Sequence, residues 1–165
     1  MKRNLLVASL AFGALFSLSA VAQTCGVPGA WQPDAAGAPS VAGTTCGGDT
    51  TAAQYCAGNL DAPGPAYVIS SNFTAGRTFT AISLVGGANY DAVMYMSPSA
   101  GGCGTNAGCT ATGDPGAPIP SGDVPDGTFF LIVTAATFDA AGSCGTFTLS
   151  TNGTFPVTLQ DFTVS

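Results

Sequence analysis

The sequence predicts an all-β chain: a jelly-roll-like antiparallel β-sandwich, stapled by disulfides and preceded by a secretory signal peptide. Three observations carry this. Short runs of β-branched and aromatic residues recur at close spacing between Gly, Pro, Asn and Asp, and none keeps a helical period. The chain holds 6 cysteines, an even count that reads as a disulfide framework in an exported protein. Charged residues are only 7% of the chain, so hydroxyl side chains must cover much of the outward surface of the strands.

The leader comes first. Met1-Lys2-Arg3-Asn4 opens the chain, an apolar run follows from Leu5 to Leu18, and Ser19-Ala20-Val21-Ala22 supplies a small-residue cleavage site. This is the layout of a signal peptide over residues 1–22, with a mature chain beginning at Gln23. The run falls short of the ~20 apolar residues a membrane span needs. Residues 23–45 read as an arm rich in Ala, Gly and Pro that Trp31 pins to the domain. Residues 46–165 read as the sandwich itself.

Within it, strands are predicted at Ala66–Ser71, Thr78–Val85, Ala92–Met96, Thr128–Ala135 and Gly145–Ser150. The third is the organising one. Val93, Met94, Tyr95 and Met96 are apolar on both parities, which predicts an inner strand covered on both faces. Asp91 stands at its mouth, where a carboxylate can reach turn N–H groups or a cation. Residues 103–127 read as a long loop. At the C-terminus Asn152-Gly153 is a two-residue hairpin signal, so residues 154–164 are predicted to return as a strand covering an edge. The alternative is a detachable strand that adds to a neighbouring subunit.

Sequence spacing favours joining Cys103 to Cys109, whose small Gly-rich loop costs about 2.4 kcal/mol of chain entropy to close. Cys46 with Cys56 and Cys25 with Cys144 would then complete the set.

Composition excludes more than it suggests. Beyond the leader the only cation is Arg77, every acid is Asp, and the chain has no His. Imidazole-dependent triads, Schiff-base lysines, His-ligated zinc and Glu-based glycosidase pairs cannot be built from these residues. One guanidinium does not make a nucleic-acid surface, and an acidic chain is repelled by an anionic membrane. No catalytic residue is expected; an Asp-only hydrolase is the one enzyme class the composition leaves. Calcium is the one cofactor worth testing. Asp49, Asp91, Asp123 and Asp126 are its candidate ligands, and Asp61 and Asp114 also lie in loops or at strand ends. No Asp-x-Asp-x-Asp-Gly loop occurs, and Asp123-Val124-Pro125-Asp126-Gly127 fits a turn whose Asp side chains cap local N–H groups. No calcium dependence is therefore expected.

The pieces from Gly47 to Thr151 resemble the bacterial pre-peptidase C-terminal (PPC-like) domain. The resemblance runs through Gly48-Asp49-Thr50, Pro63-Gly64-Pro65-Ala66-Tyr67-Val68, Phe73-Thr74-Ala75-Gly76 and Tyr90-Asp91-Ala92-Val93-Met94-Tyr95. The Cys103 and Cys109 pair, Gly127-Thr128-Phe129-Phe130-Leu131-Ile132-Val133 and Gly145-Thr146-Phe147-Thr148-Leu149 complete the order. It implies a compact sandwich of the kind appended to secreted hydrolases, acting in targeting, secretion or substrate contact. Related collagen-binding domains use calcium. Two functions are expected from this reading. One is a secreted, non-catalytic binding or accessory module for an extracellular polymer or cell-surface ligand. The other is a structural subunit of a surface layer or filament, self-assembling through the C-terminal strand.

Overall fold

The computed structural model describes residues 23–33, 40–52, 54–104, 108–136, 139–140 and 142–151. The signal-peptide reading of 1–22 and the strand expected at 154–164 lie outside them. The described chain is mostly β. In order the strands are β1 (Gly29–Ala30), β2 (Ser40–Thr44), β3 (Gln54–Tyr55), β4 (Leu60–Asp61), β5 (Tyr67–Phe73) and β6 (Ala81–Gly86). Then come β7 (Ala92–Pro98), β8 (Ala111–Gly113), β9 (Ile119–Pro120), β10 (Gly127–Ala135) and β11 (Thr146–Thr151). Two single 3-10 turns, at Ser99–Gly101 and Ser121–Asp123, are the only helical pieces among the described residues.

Two large sheets form, one ordered β1-β5-β10-β7-β8 and the other β2-β11-β6-β9, with β3 and β4 making a separate hairpin. Pairing is antiparallel except that β1 runs parallel to β5. One core joins the two sheets. Ile69 and Phe73 of β5, Met94 and Met96 of β7, and Leu131 and Val133 of β10 enter it from one side. Ile82 and Leu84 of β6 and Phe147 and Leu149 of β11 enter from the other. The ring of Tyr67 meets that of Phe147 edge-on at 5.1 Å across this core, a favourable aromatic geometry.

The five predicted strands form, with their ends moved by a few residues. The inner strand also behaves as expected. β7 lies between β10 and β8; Met94 and Met96 face the main core, and Tyr95 faces a second cluster with Tyr55, Cys56, Val68 and Ile132. The β3–β4 hairpin thus roofs the outer face of the five-stranded sheet.

Three expectations are corrected. The cysteines pair as Cys25–Cys103, Cys46–Cys144 and Cys56–Cys109, not as Cys103–Cys109, Cys46–Cys56 and Cys25–Cys144. Sheet register decides this. Thr44 opposes Thr146, so continuing that ladder past the strand ends brings Cys46 opposite Cys144, at a Cα separation of 4.9 Å. Cys56 and Cys109 meet over the second cluster, and Cys25 is held at Cys103, whose carbonyl lies 3.0 Å from its sulfur. Secondly, the arm expected over residues 23–45 supplies β1 to one sheet and β2 to the other, while Trp31 is buried in the main core as expected. Thirdly, the stretch between Cys103 and Gly127 contains β8 and β9.

The last described strand is enclosed on both sides. β2 covers one edge of β11 along Thr146–Ser150 and β6 the other along Phe147–Thr151. Among the described residues both edges of β11 are already paired, by β2 and by β6.

Candidate functional site

The groups that could carry chemistry are mostly committed to structure. Arg77 reaches across from the turn after β5 to the 121–126 segment. Its Nη1 donates to the carbonyls of Ser121 and Val124, and its Nη2 to the carboxylate of Asp126. The sole cation of the described chain is a clamp between two loops. Asp49 is likewise spoken for: 5% exposed, it accepts the Cys25 N–H at Oδ2 and the Thr51 N–H and hydroxyl at Oδ1. Burial on its own would raise this carboxyl, but the Thr51 hydroxyl and the Cys25 and Thr51 N–H groups outweigh it and hold the pKa below the ordinary carboxylate value. Asp49 ties the N-terminal segment to the start of β5, since its backbone also pairs with Ala66.

The four carboxylates considered for calcium therefore stand apart in role. Asp49 is a buried acceptor for three donors, Asp126 is the partner of Arg77, and Asp91 and Asp123 are exposed. Asp91 contributes its backbone carbonyl to Ala136 at 2.8 Å. Among the described residues no three Asp, Glu, His or Cys side chains gather as a metal cage. The tyrosines are structural as well. Burial pushes the Tyr55 phenol up, with the Asp49 and Tyr95 charges adding to it. Burial also raises Tyr90, and the hydrogen bond from Thr45 offsets part of that rise.

What remains is a surface feature that the sequence did not announce. On the side of β6 away from β11, β9 pairs only with Ala81 and Ile82. Ser83–Gly86 have no strand partner on that side among the described residues. Backbone alternation fixes which groups face outward there. Thr80 O accepts from Ser121 on the β9 side, while Gly87 N donates to Thr146 on the β11 side. Even-numbered residues of β6 thus direct their N–H and C=O toward the β9 side, although Leu84 itself is only 3% exposed.

The turn joining β8 to β9 overhangs this stretch. Asp114 and Ala117 close it by mutual backbone hydrogen bonds. Between turn and strand lies a groove of about 110 Å³ lined by Ser83, Leu84, Val85, Asp114, Pro115, Gly116 and Pro118. Its walls are almost wholly apolar, and Val85 at 60% exposure is one of two large hydrophobic side chains left in water among the described residues. The groove offers a recess for one apolar side chain, with exposed Val85 at its rim. Nothing in the sequence marks this groove; only pairing shows that β9 is too short to cover β6.

Comparison with known proteins adds no relative: no family model, no curated protein and no solved structure matches the chain.

Proposed function

We propose that this chain is an exported, non-catalytic binding module, built as a disulfide-stapled β-sandwich of jelly-roll type and similar in plan to PPC-like domains. Its recognition surface is the groove on the open edge of β6. The observation that carries this is the coincidence of an apolar recess with exposed Val85 beside Ser83–Gly86, which have no strand partner on the β9 side among the described residues. The commitment of Arg77 and Asp49 to structure supports a role without acid–base chemistry. Three disulfides fit an oxidising compartment. Among the described residues no helix is long and apolar enough to cross a membrane. The ligand is an extended chain of an extracellular or cell-surface polymer, taken without calcium.

The test is co-sedimentation of the oxidised full-length chain with insoluble peptidoglycan, cellulose and chitin, each beside the Val85→Glu variant. Retention on at least one polymer, lost in Val85→Glu, is the expected result. Capture that ignores Val85, or no capture at all, overturns this reading.

A second reading is favoured by one observation, the occupation of both edges of β11. It makes the chain a structural subunit that assembles through its C-terminal strand.

A further inference from the structure

We propose that Cys46–Cys144 is a thiol–disulfide exchange site, opened and closed by an external dithiol while the sandwich around it stays folded. The site is independent of the β6 groove and of any polymer bound there, since β2 and β6 stand on opposite sides of β11.

The three disulfides differ in access. Cys46 and Cys144 are both exposed. Cys56 and Cys103 are buried in the second cluster, at 8% and 4% exposure, and their partners Cys109 and Cys25 pack against it. A thiolate must reach a sulfur to attack it, and exposed disulfides are the exchangeable ones. The fold thus shelters two bonds and offers one. What each bond holds differs in the same sense. Cys56–Cys109 ties down the β3–β4 hairpin, which forms no ladder with either large sheet. Cys46–Cys144 closes a ladder that has other fastenings.

Those fastenings sit on the residues next to the sulfurs. Thr45 donates its N–H to the Gly145 carbonyl at 2.9 Å and its hydroxyl to the Tyr90 hydroxyl at 3.0 Å. Its hydroxyl oxygen also accepts the Gly145 N–H at 3.1 Å. Thr44 Oγ1 donates to the same carbonyl at 3.2 Å and accepts the Cys46 N–H at 3.2 Å. Thr45 is fully buried, and a Cβ on Gly145 would come within 2.4 Å of the Tyr90 ring. Breaking the sulfur bond leaves this network whole, so the two thiols stay together at high effective concentration. That makes the opening reversible. In the exchange, a thiolate of the dithiol bonds to one sulfur of the pair. The other sulfur leaves with the electron pair of the old bond and takes up a proton. The second thiolate of the dithiol then attacks its own partner sulfur in the mixed disulfide and frees the remaining cysteine, which is protonated in turn. Cys46 and Cys144 gain two electrons, and the dithiol ends as a disulfide.

The experiment titrates the oxidised full-length chain with dithiothreitol under native conditions, traps free thiols with iodoacetamide and maps them by mass spectrometry. The expected result is joint labelling of Cys46 and Cys144 roughly ten-fold faster than of the other four cysteines, with near-ultraviolet circular dichroism unchanged. Exchanging the reductant for oxidised glutathione should restore the bond. Thr44→Val, at a half-buried position, removes two of the fastenings. It should lower the dithiothreitol needed for half reduction roughly three- to ten-fold. Release of another pair first or alongside, loss of the folded dichroism as Cys46–Cys144 opens, or failure of the bond to re-form would each overturn the proposal. So would a midpoint for Thr44→Val equal to that of the unsubstituted chain.

Discussion

Asp49 shows how one residue can hold distant parts of a fold together. Its carboxylate gathers the N–H of Cys25 and two donors of Thr51 while its backbone bonds Ala66. Three donors on one carboxylate favour the charged form, so folding lowers its pKa despite the burial. The contribution is complete above the ordinary carboxylate pKa and is lost as pH falls through the lower folded-state value. Asp49→Asn keeps the size but cannot accept all three donors. Replacing it should lower stability by about 1–3 kcal/mol at neutral pH and flatten the loss seen on acidification, measured by urea unfolding at several pH values. An unchanged acid slope would mean that Asp49 is not the group responsible. Ser71 makes the contrast: its hydroxyl is buried in β5 with no partner among the described residues, so nothing there repays its desolvation.

The elements β2 and β11 explain what can be read from the sequence and what cannot. β11 is legible because Phe147 and Leu149 alternate with Thr146, Thr148 and Ser150, a period the sheet imposes on any half-buried strand. β2 is hidden, because Ser40-Val41-Ala42-Gly43-Thr44 holds small residues and a glycine that weakens strand propensity. Gly43 has a purpose only the packing discloses. A Cβ there would come within 2.9 Å of the Phe147 ring and 3.0 Å of the Tyr67 ring. The disulfides escape the sequence for the same reason: short spacing makes Cys103–Cys109 the easiest loop to close, whereas pairing follows register between strands far apart in the chain. The groove is out of reach too, since an uncovered edge is the absence of a neighbour and leaves no pattern in the strand itself. Cys46–Cys144 locks the end of the β2–β11 ladder over a separation of 98 residues. Replacing both with Ser should cost about 2–5 kcal/mol, and hydrogen exchange should accelerate first in β2. Non-reducing peptide mapping checks the pairing directly; a Cys46 peptide joined to any cysteine but Cys144 would refute the register argument.

The molecule as a whole lacks the usual neutral-pH titrant, since the chain contains no His. Its stability should then be nearly level from roughly pH 5 to 9. Above that range the tyrosines take over. Burial raises the phenols of Tyr55, Tyr67 and Tyr90, so the folded state holds protons that the unfolded chain gives up. This contribution is whole below the ordinary phenol pKa and is lost as pH rises through the folded-state values. Melting temperature recorded across pH should show a plateau and an alkaline fall, with Tyr90→Phe softening the fall. A step near pH 6 to 7 would contradict this account.

The central place of β11 has a consequence for how the protein is made. Synthesis delivers the N-terminus first, yet the strand that joins β2 to β6 is the last one described. Until Phe147 and Leu149 arrive, β2 has no neighbour in its sheet and Cys46 has no partner. The four-stranded sheet can close only once the last described strand has been made, which keeps half of the core open until late in synthesis.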